Sequence, residues 1–112
     1  MSDNINEVIE KFDSIMKDFD AECLKKRTDF YAWFSKTYDG YDLQSLAETN
    51  YDFKSLDAET IKGIMQEYTK AINDVYVLNV NDSYIMSCKE EILFILQDKL
   101  GDASIVLLDK SL

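Results

Sequence analysis

Residues 3–22 carry the feature that most constrains this chain, because apolar residues recur there at steps of three and four. Such spacing puts them on one face of a helix, spread over roughly 120°. The members of this apolar seam are Ile5, Val8, Ile9, Phe12, Ile15, Met16 and Phe19. Five acidic residues lie toward the opposite face, namely Asp3, Glu7, Glu10, Asp18 and Glu22. The pattern predicts an amphipathic helix with one apolar side and a row of carboxylates.

The same steps continue past residue 22 in a heptad register, but Lys26 occupies one of the seam positions. Lysines are rarely buried unless they are paired. Thr28 and Asp29 are both suitable N-caps for a new helix. We therefore predict two helices, at about 3–24 and 28–38. The alternative is one long helix that is used in oligomerisation.

Helix signals continue in the middle of the chain. Asp42 is a suitable N-cap for a short helix at about 43–49, and Asp57 is one for a longer helix after a loop at 50–56. Gly63 falls inside this longer helix. A glycine there costs about 1 kcal/mol relative to alanine, so we expect it to pack closely against a neighbouring element.

The segment that follows is ambiguous. Residues 75–80 are rich in β-branched side chains, which fits a strand of a hairpin near 75–86 or a continued helix. Ser87 and Glu90 form a capping-box pattern that predicts a helix from about residue 88. If Asp82 is the cap instead, that helix starts earlier.

Gly101 is expected to end the last helix at Leu100, and the tail at 104–108 is then a short strand or a docking helix. These elements together predict a mainly α fold. We expect a single domain over residues 1–112, a small bundle of about five helices. An α+β fold that includes the hairpin is the alternative.

Composition limits the classes of partner. The formal net charge is −10 over 112 residues, which argues against nucleic acid or an anionic membrane as a direct partner. With 46% apolar residues the chain can still bury a core. The N-terminus is acidic and amphipathic, unlike a signal peptide. We expect a cytoplasmic protein, in the host cytoplasm if the gene is viral.

Residues that carry catalytic or metal chemistry are scarce. The chain has no histidine, which removes the commonest general base and metal ligand. Cys23 and Cys88 both fall at positions that predict burial. A partial calcium-loop frame fails where Tyr84 replaces the required glycine. We therefore expect no enzymatic activity, no cofactor and no metal.

The dipeptide Tyr-Asp occurs three times, as Tyr38-Asp39, Tyr41-Asp42 and Tyr51-Asp52. For Tyr41-Asp42 and Tyr51-Asp52 a local explanation is helix capping, in which the aspartate caps a helix and the tyrosine packs on its first turn. The functional alternative is an interface, since exposed tyrosines and carboxylates suit an arginine-rich surface.

These features lead to two functional hypotheses. The first is a small acidic, non-enzymatic protein that blocks a basic, nucleic-acid-binding protein through the five acids of the first helix and the Tyr-Asp residues. Phage anti-defence proteins, DNA mimics and nuclease-immunity proteins share this composition and size, which is an analogy and not a family match. The second is a helical adaptor or chaperone, including a homodimer, that uses its apolar seam to hold itself or a client.

Overall fold

The computed structural model describes the backbone of residues 2–37 and 42–112, and within those ranges the side chains from Asn4 onward. Four α-helices and one short 3₁₀ helix form over these residues, and no strand is found among them. The elements are α1 (Ser2–Thr37), α2 (Leu43–Glu48), the 3₁₀ helix (Phe53–Ser55), α3 (Ala58–Tyr76) and α4 (Ser83–Ser111). The predicted mainly α bundle is confirmed, and the alternative hairpin near 75–86 does not form.

The first helix does not break at Lys26, so the prediction of two helices is wrong. Lys26 lies at the edge of the packed region with 29% of its side chain exposed, and its Nζ is 4.0 Å from a carboxylate oxygen of Glu22. A long lysine stem can thus cover apolar surface while its ammonium stays near solvent. Thr28 donates its hydroxyl to the carbonyl of Leu24 instead of capping a helix.

Two predicted caps are confirmed. The Asp42 carboxylate accepts a hydrogen bond from the backbone N–H of Ser45 at the start of α2. Asp57 accepts the equivalent bond from Thr60 at the start of α3. Close packing at Gly63 is not found, because a Cβ placed on this exposed residue would meet no atom within 4 Å.

Helix α4 begins earlier and ends later than the favoured prediction. Asp82 is its N-cap and accepts from the N–H of Ile85, so the Ser87 capping box does not form. Gly101 lies inside the helix, which runs on to Ser111. The cost of an internal glycine is small enough for packing of the following turn to override it, and Ala103 in that turn is fully buried.

The core lies where α4 packs against α3 and against the C-terminal half of α1. Its largest fully buried side chains come from all three of these helices and from α2: Phe30, Leu43, Ile61, Tyr68, Val75, Cys88, Ile92 and Leu96. The burial predicted for Cys88 is therefore confirmed, whereas Cys23 is half-buried.

Two lysines of α4 fix its direction relative to α3. Near the start of α4, Lys89 donates its ammonium to the carbonyls of Tyr76 and Leu78, where α3 ends. Near the end of α4, Lys110 donates to the carbonyl of Lys54, just before α3 begins. The two helices therefore run antiparallel, and only the second half of α1 completes the bundle.

The molecule is flat and extended. Its principal extents are 54 × 45 × 18 Å, and its radius of gyration is 17.6 Å. A chain of this length packed as a sphere-like domain has a radius of gyration of about 13 Å. The larger radius of gyration comes from α1, whose N-terminal residues project away from the other helices. We call residues 2–22 the arm, and residues 23–37 with 42–112 the bundle.

Candidate protein-binding surface

The apolar seam of the arm is uncovered. Every described side chain from Asn4 to Glu22 is exposed. The seven seam residues are between 42% and 66% exposed, although their types are those normally found in cores. None of them belongs to the buried cluster or to the partly buried residues that pack on it. The predicted seam therefore exists, but no part of the bundle that the structure describes covers it.

The arm is held by the half of α1 that follows it. Phe30 and Phe34 are buried and stack with ring centroids 6.0 Å apart. Phe30 continues the heptad register of the seam. The apolar face of α1 is thus continuous, buried against the bundle in one half and open in the other.

Ion pairs reinforce this anchor. Arg27 Nε lies 2.7 Å from Oε1 of Glu48 in α2, and its Nη1 lies 3.4 Å from Oε1 of Glu91 in α4. Burial opposes the charge on Arg27, but the hydrogen bond and charge of Glu48 outweigh it, so the pKa of the guanidinium is raised. Tyr31 also donates its hydroxyl to Glu48. Burial and this bond raise the pKa of Tyr31.

The carboxylates of the arm point into solvent. Glu7, Glu10 and Asp18 make no ion pair with any described side chain, while Asp3 lies outside the described side chains. Glu22 does not lie where we expected. It pairs weakly with Lys26, a seam position one turn later, so it borders the seam instead of lying on the back of the helix.

Sequence reasoning overlooked two acids beside the seam. Asp13 and Asp20 each follow a seam phenylalanine directly, and both are exposed. In heptad terms they flank the apolar positions on one side of the helix, whereas Val8, Ile15 and Glu22 flank them on the other. Assigning heptad positions to the sequence would have identified these two aspartates as neighbours of the seam.

The Tyr-Asp patch is only partly within the described residues. Tyr38, Asp39 and Tyr41 lie outside them. Asp42 serves as the α2 cap, and its hydrogen bonds from Ser45 lower the pKa of its carboxyl. This confirms the capping role predicted for Asp42 in that pair.

The third pair behaves differently. Asp52 precedes the 3₁₀ helix but makes no side-chain capping bond. Tyr51 packs its ring on Phe53, with centroids 5.9 Å apart. Tyr51 and Asp42 line one open groove of about 510 Å³ between α2 and α3, together with Leu46 and Glu67. The structure thus brings two predicted patch residues together.

Metal ligands and thiols offer little additional chemistry among the described residues. They contain no group of three or more side chains arranged to hold a metal ion. Burial raises the pKa of the thiols of Cys23 and Cys88, so both favour the protonated form. No helix in the described ranges has the length and apolar character needed to cross a bilayer.

No protein-family model, curated protein or solved structure matches the chain. Any indication of function therefore comes from the surfaces of the molecule itself. Among the described residues, the arm combines seven exposed apolar side chains on one helix face with carboxylates that have no cationic partner there.

Proposed function

We propose that this protein is a non-enzymatic helical adaptor that binds another protein through the seam of its arm. The observation that carries the proposal is that seven large apolar side chains lie uncovered along one helix face. Monomeric proteins seldom expose a contiguous apolar patch of this size unless it is an interaction site. This favours the adaptor hypothesis over an ordinary solvent-facing helix.

The spacing of the seam suits one mode of recognition. An amphipathic helix presents anchors at i, i+3, i+4 and i+7 to an apolar groove or to another helix. Ile5, Val8, Ile9 and Phe12 follow this spacing. Phe12 and Phe19 supply rigid aromatic area, which is typical of residues that dominate binding energy.

A second candidate function is the occlusion of a basic, nucleic-acid-binding protein, as in an anti-defence, DNA-mimic or immunity-type inhibitor. The supporting observation is that Glu7, Glu10 and Asp18 have no cationic partner among the described side chains. Successive turns of a helix advance about 5.4 Å, a scale comparable with the phosphate spacing of about 3.4 Å along one DNA strand. Net charge −10 would also steer a basic partner toward the arm.

Two variants separate the candidates. The seam variant carries Phe12→Ser and Phe19→Ser, and the back-face variant carries Glu7→Lys, Glu10→Lys and Asp18→Lys. Each protein is used to capture partners from a lysate of the organism that encodes it, at low and high salt, and the bound proteins are identified by mass spectrometry.

For the adaptor we expect capture to be lost in the seam variant, retained in the back-face variant and little affected by salt. The reverse pattern, with binding that falls as salt rises, favours the basic-partner function. If both variants capture the same proteins as the unmodified chain and the chain is a monomer, the arm is not the binding surface and the proposal fails.

A further inference from the structure

We infer that the arm seam is covered in solution by the arm of a second copy of this chain, paired in antiparallel orientation. The inference rests on the proposed function, since it names the partner of the surface proposed there. Neither the bundle nor any other described part of the same chain covers the seam. A second copy, by contrast, is present whenever the protein is.

The available area fits a stable dimer. With side chains between 42% and 66% exposed, each seam residue offers on the order of 100 Å² of apolar surface. Seven such residues give roughly 700 Å² per chain, close to the about 800 Å² per partner of a standard interface. The seam of one arm is therefore sufficient for specific association with an equal surface.

The register also matches helix pairing. Ile9 and Met16 occupy a positions and Ile5, Phe12 and Phe19 occupy d positions of an uninterrupted heptad. The a and d positions of one helix pack as knobs into the facing helix. In the bundle the same register continues into buried Phe30, so this face of α1 already packs against helices where helices are available.

The flanks of the seam decide the orientation. One flank carries Val8, Ile15 and, one heptad further on, Glu22, and the other carries Asp13 and Asp20. An antiparallel pair brings like flanks together, so that Ile15 meets Ile15 of the second copy and Val8 lies beside the side chain of Glu22. The carboxylates of Asp13 and Asp20 then share a solvent-facing edge. A parallel pair would put Val8 beside Asp13 of the second copy on both edges, where it would desolvate the carboxylate without a partner.

Charge gives the same orientation. An arm of 21 residues is about 32 Å long, so antiparallel pairing keeps the two acidic bundles several Debye lengths apart at physiological salt. Parallel pairing would place them side by side. With the overlap centred near residue 14, Ile9 lies opposite Phe19 of the second copy and Phe12 lies opposite Met16, so all central seam positions are filled.

The test of association is sedimentation equilibrium of the purified full-length protein. We expect a dimer, a loss of affinity of at least about a hundredfold in the seam variant, and no loss in a matched Glu7→Gln/Glu10→Gln variant of the same helix. Phe12 and Phe19 lie outside the core, so an unchanged thermal transition of the bundle shows that the seam variant still folds.

Salt distinguishes a second copy from a basic partner. Raising the salt from about 0.1 M to about 1 M shortens the Debye length from about 10 Å to about 3 Å. Since both arms are acidic, we expect the dimer to tighten, whereas an attraction between opposite charges would weaken. A dimer whose affinity falls as the salt concentration rises would contradict the pairing of two acidic arms.

Orientation is tested with single cysteines in a Cys23→Ser background, with buried Cys88 left in place. Ile9→Cys protein and Phe19→Cys protein are oxidised separately and as a mixture. The antiparallel pair predicts a disulfide-linked dimer in the mixture only. Crosslinking of Ile9→Cys with itself would instead show a parallel pair and overturn the orientation.

Two results would overturn the second-copy inference itself. One is a monomer at all concentrations, and the other is a dimer that persists in the seam variant. A monomer that still captures a partner through the seam leaves the proposed function standing. A monomer whose seam variant captures the same proteins as the unmodified chain removes both.

Discussion

The guanidinium of Arg27 lies 2.7 Å from the carboxylate of Glu48, a contact that ties α1 to α2 where the arm leaves the bundle. Replacing Arg27 with methionine would leave Glu48 and Glu91 partly buried without their cation. We expect the free energy of unfolding to fall by about 1–3 kcal/mol, measured by urea denaturation. Lys62→Met, which breaks an exposed pair within α3, is the control and should change stability little.

Lys89 is a buried cation whose partners are carbonyls. The residue is only 8% exposed. Its ammonium lies 2.8 Å from the carbonyl oxygen of Tyr76 and 3.0 Å from that of Leu78. It satisfies acceptors that the end of α3 would otherwise leave without a donor. We expect Lys89→Met to destabilise the protein by about 1–3 kcal/mol. An unchanged denaturation midpoint would mean that water replaces the ammonium.

The contrast between these contacts and the helix caps shows what the sequence could predict. Asp42 and Asp57 act on N–H groups three residues away, so their role follows from local chemistry alone. Arg27 reaches 21 and 64 residues along the chain, and no local pattern specifies those partners. The seam shows the same division, because its apolar face follows from periodicity but its exposure depends on where the bundle ends.

The errors have the same origin. Lys26 suggested a break because a buried lysine is costly, yet the fold places it at the rim, where its stem can pack and its charge can reach Glu22. Gly101 suggested a helix end because glycine favours one, yet packing of the next turn extends α4 to Ser111. In both cases tertiary packing decided the outcome, and for Gly101 it overrode a local preference of about 1 kcal/mol.

Gly63 is a site for stabilisation. It lies in the middle of α3 with open space where a Cβ would be. Alanine there would reduce the backbone entropy of the unfolded chain and favour the helix, so we expect Gly63→Ala to raise the free energy of unfolding by about 0.5–1 kcal/mol. Gly101→Ala in α4 has the same open surroundings and should behave alike. Destabilisation of either variant would reveal a close neighbour in solution.

Tyr68 carries a buried hydroxyl that makes no hydrogen bond. Removing it in Tyr68→Phe takes away an unsatisfied polar group while keeping the ring. We expect stability at neutral pH to be unchanged or raised by up to about 1 kcal/mol, measured by thermal or urea unfolding. A clear loss of stability would show that the hydroxyl has a partner in solution.

The same residue should contribute to alkaline unfolding. Burial raises the pKa of Tyr68 to about 12, above the value of about 10 for an exposed tyrosine. The folded state thus holds this proton more tightly, so the contribution is complete below about pH 10 and is lost as the pH rises toward 12. Phenylalanine has no such proton, and we expect the stability of Tyr68→Phe to fall less steeply across that window.

The arm should be the least protected part of α1 when the protein is dilute. An isolated helix of about 20 residues is marginal in water because its stability comes mostly from packing, and no described residue of the bundle packs on the seam of the arm. We expect arm amides to exchange hydrogen fast in dilute protein while those near Phe30 stay protected. As the concentration rises and arms pair, arm protection should increase, and the seam variant should show no such increase. Concentration-independent protection of the arm would mean that its helix is stable without any partner.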